Sequence, residues 1–131
     1  MAEKEIQKEI LKSLDKHPYV VWAYITTAGV VKGHTGGRPF RIGPNGLLDI
    51  LGQLADGRLF SIEVKAPGKK PTKEQYTMID RINNNGGVAG WADNVTDAFL
   101  IIDKAWGIPD SLKDPQEVLR RGRELLKKWD V

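Results

Sequence analysis

The sequence predicts one α/β domain with its elements in the order αβββαβ, followed by more helix. A length of 131 residues suits a single domain, and a hydrophobic content of 40% is typical of a globular chain. Apolar residues recur at helical spacing near the N-terminus, and a β-branched and aromatic run follows them. The pair Asp56-Gly57 then separates two apolar runs, which indicates a hairpin.

The N-terminal elements follow from spacing and from proline. A helix is predicted over residues 3–16, because apolar side chains recur there every three or four residues, at Ile6, Ile10, Leu11 and Leu14. Pro18 ends it. A strand is predicted over 19–26. Residues 27–46 hold six glycines and two prolines, so they are predicted to form a loop, and a loop of that length is usually functional or disordered.

The central elements are two strands, a helix and a further strand. The strands cover 47–54 and 59–65. Thr72 with Gln75 three residues on matches a capping box, which opens a helix to about residue 84. A short strand follows over 88–92.

Two more helices complete the prediction. Asn94 or Thr96 caps one that runs to about Lys104. Asp114-Pro115 opens the last, over 116–129. The single domain spans 1–131, with a core over about 3–104 and a C-terminal helical extension over about 107–131.

Composition excludes several classes of protein. The chain has no cysteine and two histidines, His17 and His34, so disulfides are impossible and a structural zinc site is essentially excluded. Lys and Arg number 20 against 17 Asp and Glu, a mild excess that permits nucleic-acid binding. The charged N-terminus is unlike a signal peptide, and no apolar run is long enough to span a membrane. A cytoplasmic location is expected.

Charged residues inside apolar runs are the most informative feature. Asp49 lies in one predicted strand, and Glu63 and Lys65 close the next. Such side chains are almost never fully buried unless they are paired or bind a metal. Two carboxylates and an ammonium beside one hairpin therefore predict a divalent-ion site with oxygen ligands.

The turn decides whether the two carboxylates meet. With a two-residue loop, Asp49 falls opposite Val64 and points away from Glu63. With a three-residue loop over Ala55–Gly57, Asp49 faces Glu63 directly. We predict the longer loop, or a bulge elsewhere that restores the parity. The ion would be Mg²⁺ or Mn²⁺, and Lys65 would position an attacking water or stabilise a phosphorane-like transition state.

The combined pattern resembles a known family. Its segments are Gly46-Leu47-Leu48-Asp49, Ile62-Glu63-Val64-Lys65-Ala66-Pro67-Gly68, Thr72 with Gln75, and Gly86-Gly87-Val88. Together they resemble the VRR-NUC domain of the PD-(D/E)XK nucleases, whose stand-alone members include phage and prophage enzymes like Holliday-junction resolvases. The similarity spans roughly residues 3–104, and Leu48 stands where the superfamily often has proline. It implies a restriction-endonuclease-like core with a mixed central sheet flanked by helices.

The resemblance also implies roles for residues. Asp49, Glu63 and the carbonyl of Val64 would ligate the metal, and Lys65 would be catalytic. Gln75 would orient substrate or Lys65. An acid of the first helix would complete the site; Glu5 matches best, and Glu9, one turn later, is the alternative.

These features predict a metal-dependent DNA endonuclease, structure-specific for branched DNA such as Holliday junctions and acting as a homodimer. Phosphate contacts are expected from basic residues of the glycine-rich segment and of the segment before the capped helix: Lys32, Arg38, Arg41, Lys69, Lys70 and Lys73. Two other functions remain open. One is a non-catalytic nucleic-acid-binding module on the same fold, and the other is a protein-interaction module that uses the C-terminal helix.

Overall fold

A computed structural model describes residues 2–26, 29–31, 40–42 and 44–106, together with positions 120, 123 and 127. The helices of the continuous segments are α1 (Glu3–Leu14), α2 (Lys73–Asn84) and α3 (Val95–Trp106). The strands are β1 (Val20–Ile25), β2 (Gly29–Val31), β3 (Phe40–Ile42), β4 (Ile50–Leu54), β5 (Leu59–Val64) and β6 (Val88–Ala92).

Four of these strands form one mixed sheet in the order β1-β4-β5-β6. β4 is antiparallel to both β1 and β5, whereas β6 is parallel to β5. α2 supplies the crossover that a parallel pair requires. The prediction of an α/β chain with a mixed sheet flanked by helices is therefore confirmed.

The sheet has helices on both faces. α1 and α3 cover one face, because α1 presents Ile6, Ile10 and Leu14 on a single stripe towards the sheet. α2 packs on the other face, against β5 and β6, where Ile79 and Ala89 form a smaller apolar cluster. Both clusters surround β5, which is the most deeply buried strand and the one that carries Glu63.

The β4–β5 turn has the predicted three-residue form. Ile50 pairs with Ile62 and Gln53 with Leu59, which leaves Ala55–Gly57 as the loop. Gly57 has a φ of 95°, a left-handed value that costs a glycine little, and its amide donates to the carbonyl of Leu54 at 2.9 Å. This register places Asp49 opposite Glu63.

The prediction of a structureless loop over 27–46 is wrong in part. β2 and β3 lie inside it and pair antiparallel as a separate two-stranded sheet. Valine and phenylalanine give these short segments strand propensity, which the surrounding glycines mask at the level of sequence. The last helix, over 116–129, lies largely outside the described residues; Arg120, Arg123 and Lys127 are helical and exposed.

β1 contains an irregularity that changes which way its side chains point. Val20 pairs with Leu54, but Trp22 pairs with Gln53, so Val21 is an extra residue in the ladder. A bulge of this kind re-aims the residues that follow it. Ala23 therefore packs towards the main core with Val20, and Trp22 turns to the opposite face.

His17 joins the end of α1 to α3. It is buried, its Nδ1 accepts the amide of Tyr19 at 3.1 Å, and its Nε2 lies 2.9 Å from Asp103. The Nδ1 contact assigns the proton to Nε2, which therefore donates to Asp103. Burial lowers the pKa of His17, against the opposing effect of Asp103.

Within the described part of the chain, no helix has the length and apolarity needed to cross a bilayer.

Candidate functional site

Asp49 and Glu63 meet where β4 and β5 diverge. The backbone amide of Asp49 donates to Glu63 Oε1 at 3.2 Å, and the amide of Val64 donates to Asp49 Oδ2 at 2.9 Å. Each carboxylate thus takes a hydrogen bond from the backbone of the opposite strand. This exchange fixes both side chains on the rigid end of the sheet rather than on a free loop.

Glu63 is the most deeply buried acid of the site, with 1% of its surface exposed. Its Oε2 accepts a hydrogen bond from Gln75 Nε2 at 2.8 Å and lies 3.3 Å from Lys65 Nζ. Burial is the main cause that raises its pKa, to about 8, and the charge of Asp49 adds to the effect, while Lys65 opposes it. The protonated form of Glu63 is therefore favoured over the charged form relative to a carboxyl in water.

Gln75 has two functions that follow from one position in the sequence. It is the third residue of α2, where its Oε1 accepts the amide of Thr72 at 2.9 Å and its own amide donates to Thr72 Oγ1 at 3.2 Å. The capping box predicted from sequence is confirmed. Because the cap uses Oε1, the amide nitrogen of Gln75 is directed to Glu63.

The first helix contributes Glu3 to the site. Carboxylate oxygens of Glu3, Asp49 and Glu63 lie within 4.8 Å of one another. Glu5 and Glu9, the residues expected from the family pattern, are exposed and are not part of this group.

The periodicity of the helix explains the difference. Glu3 lies three residues before Ile6 and seven before Ile10, so it shares their buried stripe, whereas Glu5 is rotated by about 200° from Glu3. In the sequence, Glu3 could be selected only by its helical spacing from the apolar residues of α1.

This donor set suits a hard divalent cation. Three carboxylates supply oxygen atoms only, and one of them is buried with a pKa raised by burial and then by the charge of Asp49. Val64 follows Glu63 as the last residue of β5, and its amide donates to Asp49. The role of its carbonyl as a ligand stays a prediction.

The residues expected to contact DNA divide into two groups. Lys69, Lys70 and Lys73 are exposed, and they occupy the segment between β5 and the first turn of α2. Lys32, Arg38 and the side chain of Arg41 lie outside the described residues, although the backbone of Arg41 belongs to β3.

No model of a known protein family matches this chain, and no curated protein is significantly similar to it in sequence. The resemblance to VRR-NUC domains therefore depends on the quoted segments and stays a prediction.

Proposed function

We propose that this protein is a Mg²⁺- or Mn²⁺-dependent endonuclease of the VRR-NUC type, with a restriction-endonuclease-like core, that cuts branched DNA. One observation carries the proposal: a buried glutamate lies between a second carboxylate and a lysine at the end of the sheet. Asp49, Glu63 and Lys65 have the order and the shared face that this chemistry needs, and Glu3 adds a third acid.

Each residue has a defined part in this proposal. Glu3, Asp49 and Glu63 hold the cation, and Gln75 keeps Glu63 in place. When bound, the cation lowers the pKa of water at the site and offsets negative charge on the phosphate. Lys65, whose side chain is 15% exposed, donates to the attacking water or to an equatorial phosphate oxygen. The water releases a proton to solvent as its oxygen bonds to phosphorus in line with the leaving oxygen. The bond from phosphorus to the leaving oxygen breaks, and that oxygen departs with the electron pair and takes up a proton from solvent.

The substrate class follows from the same argument. Exposed lysines lie in the segment that joins Lys65 to the first turn of α2, and they would contact the phosphate backbone without sequence preference: Lys69, Lys70 and Lys73. Cutting both strands of a junction requires two sites, so a homodimer with a two-fold axis is part of the proposal. A cytoplasmic location is proposed with it.

The decisive experiment is cleavage of synthetic four-way junctions, flaps, splayed duplexes and linear duplexes by the purified chain, with and without Mg²⁺ or Mn²⁺. We expect cation-dependent cutting of branched substrates, with paired symmetric cuts on the junction. Lys65→Ala should reduce the rate by about 100-fold or more, because it removes a donor that acts in the transition state.

The matched control is Lys104→Ala, which removes an exposed lysine from α3, the helix that covers the opposite face of the sheet. It should cut as the wild type does. Cutting that survives in Lys65→Ala, or that needs no cation, would contradict the proposal.

A second candidate function is a non-catalytic DNA-binding module. It is favoured by the partners that Glu63 already has, Asp49, Gln75 and Lys65, because in such a module the acidic pair would be structural. In that case the chain binds junctions with and without cations, cuts none of them, and Lys65→Ala leaves binding intact.

A further inference from the structure

Two aromatic side chains stand exposed on β1. Trp22 is 39% exposed and Tyr24 is 50% exposed, although tryptophan is usually well buried in a folded domain. Their rings are stacked, with centroids 5.9 Å apart and planes inclined by 27°. The pair therefore forms one exposed aromatic cluster.

The aromatic pair lies on the same face of the sheet as the acidic site. Trp22 pairs with Gln53 and Tyr24 with Leu51, and alternation along β4 puts both partners on the side of Asp49. The bulge at Val21 produces this orientation, since without it the two rings would point into the core beneath α1.

Two hydrogen bonds hold the Trp22 ring in place. The indole N–H of Trp22 donates to Gln53 Oε1 at 3.1 Å, and Gln53 Nε2 donates to the carbonyl of Gly57 at 3.2 Å. These bonds link the ring to the turn whose register brings Asp49 to Glu63. The bond to Gln53 restricts the rotamer of Trp22, so less side-chain freedom is lost there when a ligand stacks.

The distance to the acidic site matches the spacing of nucleotides. Tyr24 is one strand across and two residues along from Asp49, about 8 Å between Cα atoms in a regular sheet. That corresponds to roughly two steps of a stacked strand at 3.4 Å per step. α2 covers the half of this face that β5 and β6 form. The exposed rings lie on the other half, which β1 and β4 form.

We propose that Trp22 and Tyr24 form a stacking platform for unpaired bases next to the phosphate that is cut. The inference depends on the proposed function and specifies its substrate: DNA whose strands separate at or near the scissile bond. Every base has a π-face, and a paired duplex does not present it, so stacking selects unpaired bases without reading sequence.

The test compares binding of two labelled DNAs by fluorescence anisotropy in EDTA, which prevents cutting. One is a splayed duplex with unpaired arms, and the other is a blunt duplex of the same length. The double variant Trp22→Ala/Tyr24→Ala should bind the splayed DNA about 5- to 100-fold more weakly and the blunt duplex as the wild type does.

Two further variants separate stacking from structure. Trp22→Phe/Tyr24→Phe keeps the rings and loses the bond to Gln53, and it should restore most of the affinity. Leu100→Ala truncates an apolar residue of α3 that is 44% exposed and should change neither affinity. Equal losses on both DNAs, or failure of the phenylalanine variant to recover, would overturn the platform.

A direct readout is tryptophan emission on adding an oligothymidylate of about 12 nucleotides. Quenching present in the wild type and absent in Trp22→Phe supports stacking on Trp22; equal quenching in both contradicts it. Sedimentation gives a further arm: a wild-type dimer that becomes monomeric in the alanine variant means that a second copy of the chain covers the rings, and the platform is then refuted.

The two proposals fail separately. If no DNA is cut under any cation but the splayed DNA still depends on the two rings, the nuclease assignment falls and the platform stands. If junctions are cut and the alanine variant binds and cuts them normally, the platform falls and the nuclease assignment stands.

Discussion

Glu63 is the residue in which burial and charge compete most directly, and the competition has a measurable consequence. Its pKa is raised from 4.5 to about 8, so in the cation-free protein it keeps its proton through neutral pH while the unfolded chain loses its own. The folded state then binds more protons than the unfolded state, and stability falls as pH rises. We expect the free energy of unfolding, measured by urea titration with EDTA present, to fall between pH 6.5 and 8.

That window separates Glu63 from His17. The pKa of His17 is lowered from 6.5, so its contribution is present above that value and is lost as the pH falls below it. Below pH 6.5 the two residues therefore change the free energy of unfolding in opposite directions as pH changes. Above pH 6.5, of these two residues only Glu63 changes it. Glu63→Gln should abolish the decline, and a decline that persists in this variant would assign it to another group.

Cation binding should depend on pH for the same reason. A ligand carboxylate must be deprotonated, so Mg²⁺ or Mn²⁺ competes with the proton of Glu63. The apparent affinity, measured by calorimetry, should weaken by about tenfold for each pH unit below 8. Calorimetry in buffers of different ionisation enthalpy should also show about one proton released per cation at pH 7. An affinity that is constant over this range would contradict the raised pKa.

Glu3 and Glu5 give a test of which acid completes the site. Glu3→Gln removes a charge from the group that shares the 4.8 Å cluster and should weaken cation binding and slow cutting, whereas Glu5→Gln changes an exposed side chain. Cation titration of both variants, followed by cleavage assays, checks this. If Glu5→Gln has the larger effect, the family-based assignment is correct and the one from structure is not.

At the scale of elements, the start of α2 couples helix stability to the site. Thr72→Ala removes the cap of α2 and should lower the free energy of unfolding by about 1 kcal/mol. It also removes the bond that anchors the backbone amide of Gln75, the residue whose side chain holds Glu63, so cutting should weaken too. Thr77→Ala is the matched control, because its hydroxyl bonds a carbonyl within the same helix and caps nothing. Equal effects of the two substitutions on cutting would show that the cap does not position Gln75.

The hairpin and the glycine-rich segment show how far elements could be predicted from sequence. A three-residue turn could be predicted from the pair Asp56-Gly57 and from the need for Asp49 and Glu63 to share a face. A one-residue shift in register would move every side chain of a strand to the opposite face of the sheet. β2 and β3 were missed because they are three residues each, too short for alternation to show among glycines.

Side chains that depend on tertiary contacts were less predictable. Glu3 could have been chosen from the apolar stripe of α1, but the family pattern favoured Glu5. The exposure of Trp22 depends on a bulge, and that bulge arises from pairing between distant strands. A bulge has no sequence signal as specific as Asp-Gly in a turn.

At the scale of the whole molecule, a formal net charge of +3 is small, so the placement of lysines matters more than their number. Replacing Lys69, Lys70 and Lys73 together by Gln should weaken binding to all DNAs alike. The slope of log affinity against log salt should decrease by about 3. Anisotropy titrations over a range of NaCl concentrations measure this slope.

The control keeps the same change of net charge. Lys12, Lys16 and Lys104 are also exposed, and they lie on or beside α1 and α3, which cover the opposite face of the sheet. Replacing these three by Gln should leave the slope near the wild-type value. A similar decrease in both triple variants would mean that DNA responds to total charge and not to the lysines before and at the start of α2.

Beyond the paired residues of β4 and β5, two backbone amides donate to carboxylates: Asp49 N–H to Glu63 and Val64 N–H to Asp49. Two amide protons, those of Asp49 and Val64, are therefore protected from solvent deuterium only while the carboxylates remain in position. A ligand that binds the carboxylate oxygens must weaken or strengthen these two hydrogen bonds. The hydrogen-exchange rates of the two amides should therefore report whether the site is occupied, without any substrate or turnover.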